Sequence, residues 1–401
     1  AWGSGMRAVR AVTVTVAAAV LGASAPALGA DRLTVFPSAT GFRDAGNNAI
    51  RGITVGPIEN AYHPGRGYGS NAYVRTVLEA KAMGATWVAL TPFGRVGDLK
   101  GRGIDPTFEA PFAENRVQVA ASVALAHTLG LRVMIVPHLW VESGEWRALV
   151  DPGTDAAWEN WAKSYERYVL AWAKVAEESG VDLFSVGVEM RGWVTSQHAP
   201  RFLDVIRQIR GLYKGPLTYS GNWDDIDDTC ILGAVDVIGI NAFYPLADKD
   251  GSGWEELAKG GVRVREKVHA LADRWQKPVL FTEIGYTTRP NPAIKPWEWP
   301  DGMKNVTVDG AAQALAYTAL LHDLLDEPRF AGFFVWRTYA DPDDVSQEAE
   351  WGFNPRGKAA ELVVRDAFAT RWAGDGDRSY RWGWRAETAG LLPWWRAFSS
   401  H

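Results

Sequence analysis

Two apolar runs in this chain end in a glutamate. "VDLFSVGVEMRGW", Val181 to Trp193, reads as a buried strand through Leu183, Phe184, Val186 and Val188, with Glu189 at its C-terminal end. "KPVLFTEIGY", Lys277 to Tyr286, has the same shape: Val279 to Phe281 are apolar and lead to Glu283. One carboxylate in such a place reads as readily as a cap or a loop ion pair. Two that converge suit cleavage of a glycosidic bond. One carboxyl keeps its proton for the leaving oxygen, and the other stays ionised to attack the anomeric carbon.

Convergence needs elements that deliver both groups to one place. Apolar strand candidates recur at 50–55, 86–91, 132–137, 182–188, 217–220, 235–241, 279–282 and 332–336. Amphipathic stretches lie between them. "RVQVAASVALAHTLG" precedes the third strand with apolar residues at helical spacing and a closing Gly130. "WENWAKSYERYVLAWAKVAEESG" precedes the fourth, "VRVREKVHALADRW" the seventh and "AAQALAYTALLHDLL" the eighth. Only the link between the fifth and sixth strands, around 225–233, lacks a helical pattern. Strands joined through helices pair in parallel. An open doubly wound sheet remains an alternative, but the count and size fit a closed (β/α)8 TIM barrel better. No G-x-G-x-x-G follows the first strand, which argues against dinucleotide binding. In such a barrel chemistry sits at the C-terminal ends of strands. Glu189 and Glu283 then share the active face, after the fourth and seventh strands.

Composition excludes several other classes. The chain has 401 residues, 47% hydrophobic and 22% charged, which is ordinary globular material. A formal net charge of −5, with no basic run in the body, argues against a nucleic-acid partner. The seven His are scattered, with no H-x-H or H-E-x-x-H, so no metal site is expected. No G-x-S-x-G elbow supports a serine nucleophile, and nothing implies a cofactor. Cys230, the single cysteine, reads as a buried, inert thiol. Twenty Trp suit either core filling or sites that stack sugar faces.

The ends of the chain read differently from its body. From Met6, "MRAVRAVTVTVAAAVLGASAPALGA" has the pattern of a bacterial-type secretory signal, with cleavage after Ala25, Ala27 or Ala30. Its apolar run, Ala11 to Leu21, is too short to span a bilayer. "AWGSG" before Met6 reads as an expression scar or a misassigned start. The expected organisation is a leader over 1–30, one catalytic domain over 31–373 and a tail over 374–401. The tail holds Trp382, Trp384, Trp394 and Trp395 and is too short for an independent domain; its role is left open. A secreted or periplasmic monomer without a membrane span is the expected state. Two loops look elaborated: "GPIENAYHPGRGYGSN" after the first strand, and "TTRPNPAIKPWEWPDGMKNVTVD" after the seventh. In the second, Trp297 and Trp299 either line a distal subsite or pin the loop. The sequon at Asn305 is discounted for a bacterial-type export signal.

An ordered set of six pieces goes further. They are "VPHLW" after strand three, "VGVEM" after four, "YSGNW" after five, "GINAFYPL" after six, "TEIGY" after seven and "FFVWRTY" at eight. Over roughly 48–372 the chain resembles clan A glycoside hydrolases, and within them is most similar to glycoside hydrolase family 113, whose characterised members are largely β-mannanases. The resemblance implies that Glu189 is the acid/base and Glu283 the nucleophile of a retaining double displacement. It implies that Tyr244 hydrogen-bonds Glu283 and that Trp336 is a platform under the sugar at the cleavage point. Asn222 and Trp223 are expected as a polar contact beside a wall, and His138 and Trp140 as further substrate contacts. Most clan members carry Asn just before the acid/base, where it binds the sugar 2-hydroxyl. Here Val188 stands there, which leaves Asn222 and His138 as candidates for that contact. The expected partner is a β-linked polysaccharide or oligosaccharide, with β-1,4-mannan as lead. Another β-glycan, such as a glucan or a host exopolysaccharide, and a non-catalytic sugar-binding barrel are the alternatives.

Overall fold

The computed structural model describes residues 42, 49–58, 65–299, 306–345 and 348–369. The leader, the Trp-rich tail, the sequon at Asn305 and the middle of the first elaborated loop lie outside the described residues.

Among the described residues the chain forms ten strands, and the eight built from the apolar runs are largely buried on both faces, as a parallel sheet covered by helices requires. The ten are β1 (Ile50–Gly56), β2 (Trp87–Leu90), β3 (Phe93–Val96), β4 (Arg132–Ile135), β5 (His138–Val141), β6 (Leu183–Val188), β7 (Leu217–Asn222), β8 (Val237–Asn241), β9 (Val279–Ile284) and β10 (Phe330–Tyr339). Eight of them close a parallel barrel in the order β1-β10-β9-β8-β7-β6-β4-β2. All eight expected strands are present. The two others, β3 and β5, pair in parallel as a small separate sheet and were not foreseen. Pro92 and Pro137 explain them. Each follows a barrel strand and has no N–H to continue the ladder, so the chain leaves the barrel and pairs again one step on.

The helices are α1 (Asn71–Ala82), α2 (Phe112–Thr128), α3 (Asp155–Glu178), α4 (Arg191–Val194), α5 (Ala199–Leu212), α6 (Trp254–Trp275), α7 (Gly310–Leu324) and α8 (Ala359–Ala369). Side-chain oxygens cap α1, α3 and α7 through Ser70, Thr154 and Asp309. Gly130 follows α2 at φ 77, a left-handed position that a glycine enters without strain. The crossover from β7 to β8 is the one without a helix pattern. It is made by two 3-10 turns, Ile226–Asp228 and Leu232–Ala234, and Cys230 between them is exposed, not buried as expected.

Alternate residues of one strand serve two cores. Trp87 and Ala89 belong with Ile50, Met134, Leu183, Leu280 and Phe334 in the cluster that fills the barrel. Val88 and Leu90 belong to the larger cluster between strands and helices. α3 supplies much of that shell. Trp158, Trp161, Tyr165, Tyr168 and Trp172 recur at helical spacing and are all buried. Each such side chain contributes about 2–3 kcal/mol by leaving water. Trp158, Trp161 and Trp172 are therefore core, not sugar platforms.

Candidate active site

β6 ends at Val188, and Glu189 follows at φ 48, a left-handed backbone that is uncommon for a residue with a Cβ. Neighbours hold it there. Glu189 N donates to Ser220 O at 2.9 Å, and Met190 N donates to the Tyr219 hydroxyl at 2.8 Å. Such a conformation costs about 1–3 kcal/mol and persists where its surroundings over-determine it. Glu283 lies within β9, opposite Asn241 in the β8–β9 register. Asn241 ends β8 and joins the two carboxylates. Its Oδ1 accepts from the Thr282 hydroxyl at 2.8 Å, which fixes the amide's direction. Its Nδ2 is thereby left to donate to Glu189 Oε1 at 2.9 Å.

Two more donors reach Glu189. Trp146 Nε1 donates to Oε2 at 2.7 Å, and Arg147 Nη2 lies 3.1 Å from the same oxygen. Glu283 is served differently. Its Oε1 is buried without a hydrogen-bond partner, and His138 Nε2 stands 3.5 Å away. Burial, and then the charge of Glu189, push the Glu283 carboxyl well above the usual carboxylate range; Arg147, Arg337 and Asn241 pull the other way. His138 is buried between Phe93, at 4.9 Å, and Trp336, at 5.7 Å and nearly parallel. Burial, with Arg147 and Arg337 nearby, lowers its pKa well below the ordinary value and keeps it neutral.

Both glutamates line one cleft of about 570 Å³, together with Trp146, Asn222, Trp223, Trp297, Trp299 and Trp336. Asn222 Nδ2 donates to Asp224 Oδ1. Trp223 and Trp297 stack at 5.3 Å and 28°, and Trp299 stacks on Phe353 at the same distance. Indole faces and carboxylates in one cleft can grip a sugar's apolar face and move protons at its glycosidic bond. Among the described residues, no group of three His, Cys, Asp or Glu is placed to hold a metal ion.

The structure thus brings Glu189, Glu283, His138, Asn222, Trp223 and Trp336 together. It places two expected residues elsewhere. No hydrogen bond joins Tyr244 to Glu283 among the described residues. The Tyr244 ring packs on Trp223 at 5.5 Å and Phe281 at 6.2 Å, in the shell between strands and helices. Phe243, one residue earlier, lines the cleft instead. Trp140 is 48% exposed on β5, beside Phe108 at 6.5 Å and outside the lining of the cleft. Sequence reading missed Asn241, although it is a polar residue closing an apolar strand, as Glu189 and Glu283 are. It also missed Trp146 and Arg147, which start a single 3-10 turn, Arg147–Leu149, too short to show periodicity.

The family model described as Glycoside Hydrolase Family 113 matches residues 61–358. The chain belongs to glycoside hydrolase family 113. Among solved structures, the family 113 β-mannanase from Alicyclobacillus acidocaldarius, in complex with ManMIm, is 27% identical with a TM-score of 0.68, over 80% of this chain and 97% of that one. A family 113 β-1,4-mannanase solved as a complex is 21% identical with a TM-score of 0.68, over 80% and 99%. A Ruminococcus gnavus β-glucuronidase shares the fold at 17% identity and a TM-score of 0.51, over 80% of this chain and 50% of that one. No curated protein sequence matches the chain. As a family 113 member the protein is a mannanase-like glycoside hydrolase with a carbohydrate substrate. Among the described residues no helix is long and apolar enough to cross a membrane.

Proposed function

We propose that this hydrolase cleaves a β-linked mannan, β-1,4-mannan first, by double displacement, with Glu283 as nucleophile and Glu189 as acid/base. The observation that carries the reading is the pair itself. Two strands deliver two carboxylates to one Trp-lined cleft, and Asn241 stands between them. In the first step Glu283 attacks the anomeric carbon while Glu189 gives its proton to the departing oxygen. In the second, Glu189 takes a proton from water, which releases the sugar.

The resting charges run opposite to the sequence expectation, in which Glu189 holds the proton and Tyr244 keeps Glu283 ionised. Three donors face Glu189, while Glu283 has a buried oxygen without one. The empty pair therefore keeps its proton on Glu283. Substrate reverses the order. A glycosidic oxygen can only accept, so it selects protonated Glu189. Glu283 Oε1 and the ring nitrogens of His138 are unpartnered, and a sugar hydroxyl that donates to this oxygen favours ionised Glu283.

The test is a panel of polysaccharides with product analysis. Mannan cleavage, with weaker or no cleavage of β-glucans, is expected; a preference for another β-glycan would remove mannan as the substrate. Export by the leader over 1–30 and action as a monomer belong to the same proposal. Mass analysis of protein recovered from the culture medium or periplasm, with an N-terminus at Pro26, Leu28 or Asp31, and light scattering check them.

A further inference from the structure

Arg191 lies outside the lining of the cleft, yet it is tied to Glu189 through one intermediate. Its guanidinium carbon sits 4.7 Å from the centroid of the Trp146 ring, and that indole donates to Glu189 Oε2 at 2.7 Å. Arg191 is itself gripped from the next strand's loop. Nε pairs with Asp225 Oδ2 at 2.7 Å, and Nη2 pairs with Asp224. Asp225 is buried, so its partner matters more than an exposed ion pair would.

The backbone under Arg191 is equally fixed. α4 is a single turn, anchored by Trp193, which is buried against Phe202 at 4.9 Å and Tyr165 at 5.7 Å. Its next residue, Gly192, lets α4 lie directly on the turn that carries Arg147. A Cβ there would stand 2.6 Å from Val150 O and 3.3 Å from Ala148 O. One rigid step thus sets the height of Arg191 above Trp146 and of Arg147 beside Glu189.

The geometry points to Arg191 as a positioning residue for the acid/base: clamped by Asp224 and Asp225, it presses the Trp146 indole into place so that its N–H aims the Glu189 carboxyl at the leaving oxygen. The inference rests on the reading of Glu189 as general acid. A planar guanidinium stacked on indole and held by two carboxylates suits this task, and a lysine ammonium cannot reproduce it. A carboxyl that is aimed wrongly still leaves Glu283 and the sugar sites intact. Loss of the clamp should therefore fall on proton donation.

The test compares two substrates of the same sugar: a mannan oligosaccharide, whose leaving alcohol needs a proton, and a 2,4-dinitrophenyl β-glycoside, whose leaving group does not. The variants are Arg191→Lys, Trp146→Phe and the double variant, each checked for wild-type thermal unfolding. Each single variant should lose about 10- to 100-fold in kcat/KM on the oligosaccharide. The loss on the dinitrophenyl glycoside should be at least about tenfold smaller. The double variant should match the worse single within about threefold, because both act through one hydrogen bond. Equal losses on both substrates, multiplied losses in the double variant, or an unaffected Arg191→Lys would each overturn the clamp. A wild-type protein inert on both substrates and on other β-glycans would instead overturn the glycosidase reading itself.

Discussion

At the scale of single residues, the two glutamates have identical chemistry and opposite surroundings. Glu189 collects three donors, two from the adjacent Trp146 and Arg147 and one from Asn241 on β8, while Glu283 is buried beside a neutral histidine and beside Glu189. A carboxyl whose pKa is raised by folding binds its proton more tightly folded than unfolded. From the unfolded value near about 4.3 up to the raised value, Glu283 therefore costs the fold stability as pH rises. Glu283→Gln removes that cost at similar volume. The variant should unfold about 2 °C above wild type at pH 7, and the gain should vanish below about pH 4. Equal midpoints at pH 7 would mean that Glu283 is not held against ionisation. With the pair's one proton resting on Glu283, the same displacement should appear in the basic limb of kcat/KM, where that proton is lost, and carry it well above the ordinary glutamate range. Trp336 stacks beside His138 in the C-terminal half of β10 and lines the cleft. Trp336→Ala should lower kcat/KM by more than about tenfold with little change in unfolding, as loss of a sugar-stacking face implies. Wild-type turnover would remove it from the site.

At the scale of elements, the barrel was legible because its signals are local. Eight apolar runs and the helical periods between them fix strand and helix identity, and the missing pattern at 225–233 marks the crossover built from two 3-10 turns. The glutamates were legible because a charge ending an apolar run stands out. Trp146 and Arg147 were not, because the link from Trp146 to Glu189 crosses 43 positions, that from Arg147 is nearly as distant, and only tertiary packing creates them. Tyr244 was misplaced for the complementary reason. Its type was read correctly, but whether residue 243 or 244 faces the cleft depends on how the chain turns after Asn241. The packing of α4 on the Arg147 turn offers a test at this scale. Gly192→Ala drives a methyl into two backbone carbonyls, which cannot rotate away. It should cost about 1–3 kcal/mol in denaturant unfolding and lower activity, because Arg147 and Trp146 move with the turn. Gly211→Ala on α5 meets nothing within 4 Å and serves as the comparison, expected to be neutral or stabilising by about 0.5–1 kcal/mol. Equal stability of the two variants would mean that the α4 contact is not tight.

At the scale of the whole molecule, the cleft carries more aromatic faces than Trp336 alone supplies. The Trp223–Trp297 stack and the Trp299–Phe353 stack line it together with Trp336, and Trp297 is 47% exposed. If these faces hold further sugar units, Trp297→Ala should reduce kcat/KM for a hexasaccharide by about tenfold and leave a short aryl glycoside nearly unchanged. Equal losses on both would assign Trp297 to holding the loop. The central claim, that Glu283 attacks and Glu189 donates, is tested most directly by azide rescue of the two alanine variants on an activated aryl glycoside. Glu189→Ala still forms the glycosyl-enzyme, and azide, which needs no base, should release it as the β-glycosyl azide. Glu283→Ala has no nucleophile of its own, and azide should displace the aryl group directly to give the α-glycosyl azide. The account predicts that pair of products. The opposite pair, or an inverted sugar from the wild-type enzyme, would contradict it.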